Sequence, residues 1–415
     1  MFGNFLYFIV ALLIYTTYQP TATPRLPVFQ AVFFFLGIAV LFVGMTWLLF
    51  NRLKDRIDRG DYQRIDREYN TLVTRQSIMA IVIFAIDVYG LDLGGYFNDI
   101  YIFNLMPTLE ALLFLGLFVL YLSAVWACSY TIQEMLYRTG ISRWRYVFSN
   151  ISFSVPVLLP WFCLSLLADL ITALPYKAPA AFLMSTEGQI LYFLFFLLVI
   201  AVLGPALIQR FWGCRPLKEG YDRIRIENIC KKAGLDYKDI MLWPLFGGKM
   251  MTAGVMGLVR RFRYILVTPA LLRYLDPVEI DAVIAHEIGH VKQKHLIFYL
   301  LFFVGYLVIA FSLLDVIIYG LLYSQAAFGW IGGGPGQSTT VSMVFSLAMI
   351  AMFFVYFRYI FGYFMRNFER QADIYVYSLL DSARPLISTL KKIADTSGQS
   401  PDKPNWHHFS IRQRV

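Results

Sequence analysis

Apolar residues in this chain are gathered into long runs separated by charged stretches. A helix needs about 20 mostly apolar residues to cross a bilayer core. About eight stretches approach that length: residues 5–18, 28–50, 77–97, 105–130, 151–174, 189–208, 296–322 and 341–364. Each is predicted to be a membrane helix. The first is short, and the third carries Asp87 and Asp92. No Lys or Arg precedes Phe5, whereas a secretory leader starts basic and ends in a small-residue cleavage site. The first run is therefore expected to stay as a membrane helix. No repeat of fixed period is evident. Residues 332–340, rich in Gly, Ser and Thr, read as a flexible external loop.

The loops between runs alternate in charge. Arg52, Lys54, Arg56, Arg59, Arg64, Arg67 and Arg75 follow the second run, and Arg138, Arg143 and Arg145 follow the fourth. Lys and Arg recur from Arg210 to Lys294, and Arg366, Arg370, Lys391 and Lys392 follow the last run. The intervening loops hold little beyond Arg25 and Lys177. Basic residues collect in cytoplasmic loops, so both termini and the polar segment 209–295 are expected on the cytoplasmic side.

Composition agrees with this layout. Of 415 residues, 58% are hydrophobic and 15% charged, against about a quarter charged in ordinary soluble domains. The net charge of +9 is accounted for by basic membrane loops and calls for no nucleic acid partner. Cys128, Cys163, Cys214 and Cys230 form no C-x-x-C pair, so neither a disulfide framework nor a thiolate metal site is expected. The fold class is mainly α: a polytopic membrane helix bundle with a small cytoplasmic α+β segment.

The chemistry lies just before the seventh run. Asp276 can cap a helix, Pro277 fits its first position and Glu279 completes a capping box. Ten residues on from Asp276 comes His286, with Glu287 beside it and His290 one turn later. Two imidazoles four residues apart share one helix face and can hold one zinc ion, with the glutamate as general base. Gly289 is expected to leave room beside the metal. Upstream, residues 251–258 and 263–268, joined through Arg260 and Arg261, read as a β-hairpin. Its edge could hold an extended peptide by main-chain pairing. All five histidines fall in two clusters: His286, His290 and His295, then His407 and His408.

A catalytic zinc usually takes a third protein ligand. Glu369 is the best candidate, with Asp373 one turn on and able to orient a ligand histidine. By its residues alone, however, this Arg-Glu-Arg stretch reads more readily as a solvated charged helix.

Taken together, the motifs resemble the type I CAAX prenyl endopeptidase family of membrane gluzincins, which includes the bacterial heat-shock membrane proteases. The resemblance covers about the last two hundred residues; upstream it holds only by hydropathy. The family's zinc helix is similar to residues 275–290. Its third-ligand motif matches Arg366, Glu369, Ala372 and Asp373, which makes Glu369 the expected third ligand. A further family motif, a His followed six residues later by an Arg, matches His408 and Arg414. By resemblance, His408 hydrogen-bonds the oxyanion of the tetrahedral intermediate. Phe409 stands where the family usually has Pro, which leaves the choice between His407 and His408 open. Thr252 and Ala253 stand where the family often has Asn-Ala, as candidate substrate-binding residues. The family commonly continues as a helix beyond the position of Arg414.

The resemblance implies an integral-membrane zinc endopeptidase with one zinc per chain. Its substrates would be prenylated C-terminal peptides or damaged membrane proteins; a bacterial inner-membrane quality-control role is the favoured reading. The expected organisation is a membrane bundle over 1–208, a catalytic segment over 209–295, a helix pair over 296–364, and the third-ligand helix with the remaining catalytic residues over 365–415. The resemblance also implies a chamber enclosed by the membrane helices. Asp87, Asp92, Asp169 and Asp315 either face such a chamber or reach the interface from helix ends. The rivals are a signal-transducing membrane metalloprotease, a site-two-type intramembrane protease, and an inactive scaffold or transporter. The first would need a larger external domain, and the second would carry its metal motif inside an early span.

Overall fold

The computed structural model describes residues 3–21, 24–59, 65–138, 140–244, 250–323, 337–397, 402 and 409–415. Helices dominate it. In the first half of the chain they are α1 (Gly3–Thr17), α2 (Val28–Asp58), α3 (Ile65–Ala85), α4 (Tyr101–Leu105), α5 (Pro107–Tyr137), α6 (Arg143–Ser154), α7 (Leu159–Ala173), α8 (Lys177–Met184) and α9 (Thr186–Phe211). Then come β1 (Arg215–Pro216), α10 (Tyr221–Lys232), β2 (Asp239–Leu242), β3 (Ala253–Met256), β4 (Tyr264–Val267), α11 (Pro269–Tyr274), α12 (Pro277–Lys292) and α13 (His295–Tyr323). The last are α14 (Gln337–Val355), α15 (Gly362–Leu380), α16 (Arg384–Ser397) and α17 (Ile411–Arg414).

Among the described residues, six helical stretches are long and apolar enough to cross a membrane: Val28–Asp58, Ile65–Gly90, Pro107–Tyr137, Arg143–Ala173, Thr186–Phe211 and Thr340–Leu380. Two of the expected spans differ. The first run forms the 15-residue α1, about 22 Å long at 1.5 Å per residue and short of the roughly 30 Å hydrocarbon core. The seventh run forms α13, whose first part is bent 54° from α12 at the break between them, and the two count as a span only when joined. The expected loop over 332–340 also differs: α14 already begins at Gln337, and 332–336 lie outside the described residues.

Contacts divide the chain into two compact units. One comprises Met1–Phe196 with Leu313–Ile350 and the other Leu197–Ser312 with Ala351–Val415. In the first, Phe84, Phe118, Leu122 and Trp126 form a buried core, while Phe29 on α2 is 82% exposed, as a lipid-facing residue should be. The acids in its apolar stretches tie helices together. Asp87 accepts the Tyr121 hydroxyl at 2.6 Å, and buried Asp92 accepts the hydroxyls of Tyr18 and Thr21 just beyond α1. Asp169 accepts the Thr108 N–H at the start of α5 at 2.7 Å. An uncapped N–H at a helix start is costly in an apolar medium, so a carboxylate from α7 meets a real need. The Asp315 side chain lies outside the described residues.

The second unit carries a four-stranded sheet in the order β1-β2-β4-β3. The expected hairpin is present as antiparallel β3 and β4. Short β1 and β2, and the parallel pairing of β2 with β4, were not foreseen: strands of two and four residues are too short to show a period. Gly257 ends β3 with φ +109°, and a Cβ there would lie 2.2 Å from the Phe262 carbonyl oxygen, so no larger residue fits this turn.

Ile280, Ile284 and Ile288 repeat every four residues along α12, and all are buried against Ile240, Ile265 and Val267 of the sheet. The helix start is held three ways. Glu279 closes the capping box by accepting the Asp276 N–H at 2.8 Å. Ser388 and Lys392 of α16 donate to the same carboxylate at 2.6 and 2.7 Å. Arg225 of α10 grips Asp281 with two hydrogen bonds of 2.7 and 2.6 Å.

Among the described residues the most extensive helix pairing is between α12 and α15. A Cβ on Gly289 would stand 3.1 Å from the Ala372 Cα and 3.1 Å from the Tyr375 Cβ. The small residue thus makes room for α15, not for a metal as the sequence had suggested. Overpacking a tight contact costs about 1–3 kcal/mol. Gly289→Val is therefore expected to lower the thermal unfolding midpoint and to reduce the metal content of the purified protein, read by calorimetry and elemental analysis.

Candidate active site

Close approach of α12 and α15 brings His286, His290 and Glu369 together, with their ligand atoms all within 4.8 Å of one another. The two Nε2 atoms are 3.3 Å apart, and each stands 3.4 Å from a Glu369 oxygen. Atoms bound to one tetrahedral zinc at about 2.0–2.1 Å lie roughly 3.3–3.4 Å apart. The donor set and its spacing fit such an ion.

The far nitrogens of both imidazoles are engaged. His286 Nδ1 lies 2.9 Å from Asp373 Oδ1, and a proton on Nδ1 leaves the Nε2 lone pair facing the centre. His290 Nδ1 lies 2.9 Å from Nδ1 of His295, whose Nε2 is 2.8 Å from Gln371 Oε1. An amide oxygen only accepts. His295 therefore donates through Nε2 and accepts at Nδ1, His290 donates through Nδ1, and its Nε2 lone pair also faces the centre. His295 is fully buried and stacks on Phe368 at 4.3 Å. Sequence reasoning had noted His295 only as a member of its cluster and had missed Gln371. The spacing of a third histidine five residues past His290 was the available signal; the 76-residue separation of Gln371 from His295 left none.

Arg414 reaches the site from the four-residue α17, whose start is fixed by a capping box between Ser410 and Gln413. Its guanidinium grips Asp373 with hydrogen bonds of 2.9 and 2.8 Å, and Nη2 is 3.5 Å from Glu369. Burial alone would lower the Arg414 pKa; the paired carboxylates outweigh it and hold the group charged. Burial alone would likewise lower His286, yet the Asp373 and Glu369 carboxylates raise it to about 10. Glu287 is half-buried on α12 between the two histidines, and Arg366 is half-buried one turn before Glu369. His407 and His408 lie outside the described residues.

β3 is an edge strand. Antiparallel pairing turns the main-chain groups of alternate residues outward. Just before β3, Thr252 donates its N–H to the Thr268 hydroxyl, and its carbonyl accepts the N–H and hydroxyl of Thr268, the residue after β4. In that register Ala253 and Val255 present the free edge, so of the two hairpin residues expected to meet substrate only Ala253 offers main-chain groups there.

Fold and site define a polytopic helical membrane protein with a His-His-Glu group that could hold a metal ion. Residues 217–409 match peptidase family M48. The chain is 26% identical over 200 residues to a protease HtpX homolog of Aeropyrum pernix, and 31% identical over 139 residues to one of Thermoplasma acidophilum. These matches cover 47% and 33% of this chain, and only 59% and 39% of the relatives' own length. The crystal structure of S. mikatae Ste24p shares the fold, with a TM-score of 0.53 at 17% identity, over 94% of this chain and 99% of that one. Over residues 217–409 the chain is thus similar to peptidase family M48, and it shares the fold of the solved Ste24p.

Two outcomes are expected. Asp373→Asn should weaken metal binding by roughly 10–100-fold, the usual cost of losing a group that orients a ligand histidine. Because a cation must displace the proton that His286 otherwise holds, affinity should fall as pH falls through neutrality. Chelator-competition titrations at several pH values measure both.

Proposed function

We propose that this chain is an integral-membrane zinc endopeptidase that cleaves peptide bonds of membrane-associated proteins, including lipidated or misfolded ones. The observation that carries this reading is the convergence of two imidazole nitrogens and one carboxylate at separations of 3.3 and 3.4 Å. His286, His290 and Glu369 would hold one zinc. When bound, the ion lowers the pKa of water and polarises the scissile carbonyl.

The chain's own residues do the rest. Glu287 accepts the proton of the attacking water and passes it to the leaving amine. Asp373 and His295 keep the ligand imidazoles in the tautomers that leave Nε2 unprotonated. Arg414 steadies Asp373 and so acts as a positioning residue, not on the substrate. The outward edge of β3, at Ala253 and Val255, aligns an extended peptide by main-chain pairing, with Thr252 at the start of that strand. By the family resemblance, His408 donates to the oxyanion, and Arg366 supports the helix that carries Glu369. The metal site faces the cytoplasm, as do both termini, an orientation that the charge alternation of the loops supports, and the membrane is a bacterial inner (plasma) membrane.

Glu287→Gln keeps the shape of the side chain and removes the base. It should retain metal and lose at least about 100-fold in cleavage rate, the usual contribution of general-base catalysis. Retained cleavage of an unfolded membrane protein by this variant would refute the assignment. Metal bound with no hydrolysis of any unfolded or prenylated substrate by the wild type would favour a scaffold. Trapping the variant in native membranes and identifying what co-purifies reads out the substrate class.

The His295–Gln371 contact has its own test. Gln371→Leu removes the acceptor, whereas Gln371→Glu keeps one. The first should weaken metal binding by roughly tenfold or more and the second should hold it near wild type, measured by chelator competition.

A further inference from the structure

A groove of about 520 Å³ opens between α2 and α3 in the first unit. Four arginines line it: Arg52 and Arg56 from α2, Arg67 and Arg75 from α3. The wall holds one acid, Glu68, which already pairs with Arg56. Four positive charges less one negative leave the wall at +3. Among the described residues no carboxylate is placed within ion-pair distance of Arg52, Arg67 or Arg75. A general bias toward basic loops places such residues near this membrane face, but does not by itself make four of them converge on one cavity.

The depth of the groove matters equally. Arg52 lies one turn beyond Leu48, which is 50% exposed, and Arg75 lies one turn before Ile78 and Met79, 49% and 38% exposed. Residues three and four apart share a helix face. From the charged groove, an exposed apolar strip therefore runs along each helix into its membrane-spanning part. Trp47, 54% exposed, stands at the same level, where indole rings favour the interface. Leu53 and Leu72 supply apolar wall between the arginines.

We infer that this groove seats the head group of an anionic phospholipid. Planar guanidinium forks suit the oxygens of a phosphodiester, and the acyl chains lie along the exposed strips of α2 and α3. A soluble phosphate ester would use the forks but not the strips.

The test uses the full chain in detergent micelles and counts bound lipid by native mass spectrometry. Phosphatidylglycerol is compared with phosphatidylcholine, and glycerol phosphate serves as the soluble competitor. Wild type should hold phosphatidylglycerol at least about tenfold more tightly than phosphatidylcholine. The triple variant R52Q/R67Q/R75Q should lose that preference, and R52K/R67K/R75K should keep much of it. The control K54Q/R143Q/R145Q removes the same number of charges outside the groove and should behave as wild type. If the glutamine triple shows no cooperative unfolding, the single variants R52Q and R75Q carry the test, each with a several-fold loss. An equal loss in the control, an unchanged preference in the glutamine triple, or displacement by glycerol phosphate as potent as by lipid would overturn the inference.

Discussion

The candidate metal site depends on two helix backbones meeting where one has no side chain. Gly289 and Ala372 let α12 and α15 approach until a single methyl group would crowd the contact. His286 lies one turn before Gly289 on its helix, and Glu369 one turn before Ala372 on the other. A few tenths of an ångström at this contact therefore become a few tenths at the ligands. Metal sites tolerate about 0.2 Å in ligand distance, so the packing of two small residues decides whether three distant side chains act as one site.

Around that contact, charge and tautomer are set by neighbours that never reach the centre. Glu369, buried, and Asp373, half-buried, are carboxylates on successive turns, and withdrawing like charges from water together is costly. Arg414 offsets one of them directly, and a cation held by the histidines would offset the other. The opposite nitrogens are fixed by Asp373 for one ring and by His295 with Gln371 for the other, so both Nε2 lone pairs aim at the same point. Such an arrangement contributes less to fold stability than to geometry, since buried ion pairs roughly repay their own desolvation.

The acids of the membrane helices serve a different purpose. Asp87, Asp92 and Asp169 each accept hydrogen bonds from another segment. In an apolar medium an unmet donor at a helix end or a buried hydroxyl is expensive, and a carboxylate from a neighbouring helix meets the need while fixing position. The same residue type thus ties helices in one unit and orients a candidate ligand in the other, according to what lies opposite.

By itself the sequence determined what local periodicity and capping encode. Long apolar runs marked the helices of the bundle, Asp276, Pro277 and Glu279 marked where α12 starts, and the turn through Arg260 and Arg261 with the β-branched and aromatic residues after it marked the hairpin. It also placed His286 and His290 on one helix face, because that follows from 3.6 residues per turn. The role of Gly289, the pairing of His295 with Gln371, the grip of Arg414 on Asp373 and the outward edge at Ala253 and Val255 were decided only by tertiary structure. Each depends on which faces of separate elements meet, and side-chain spacing along one helix carries no record of the helix packed against it.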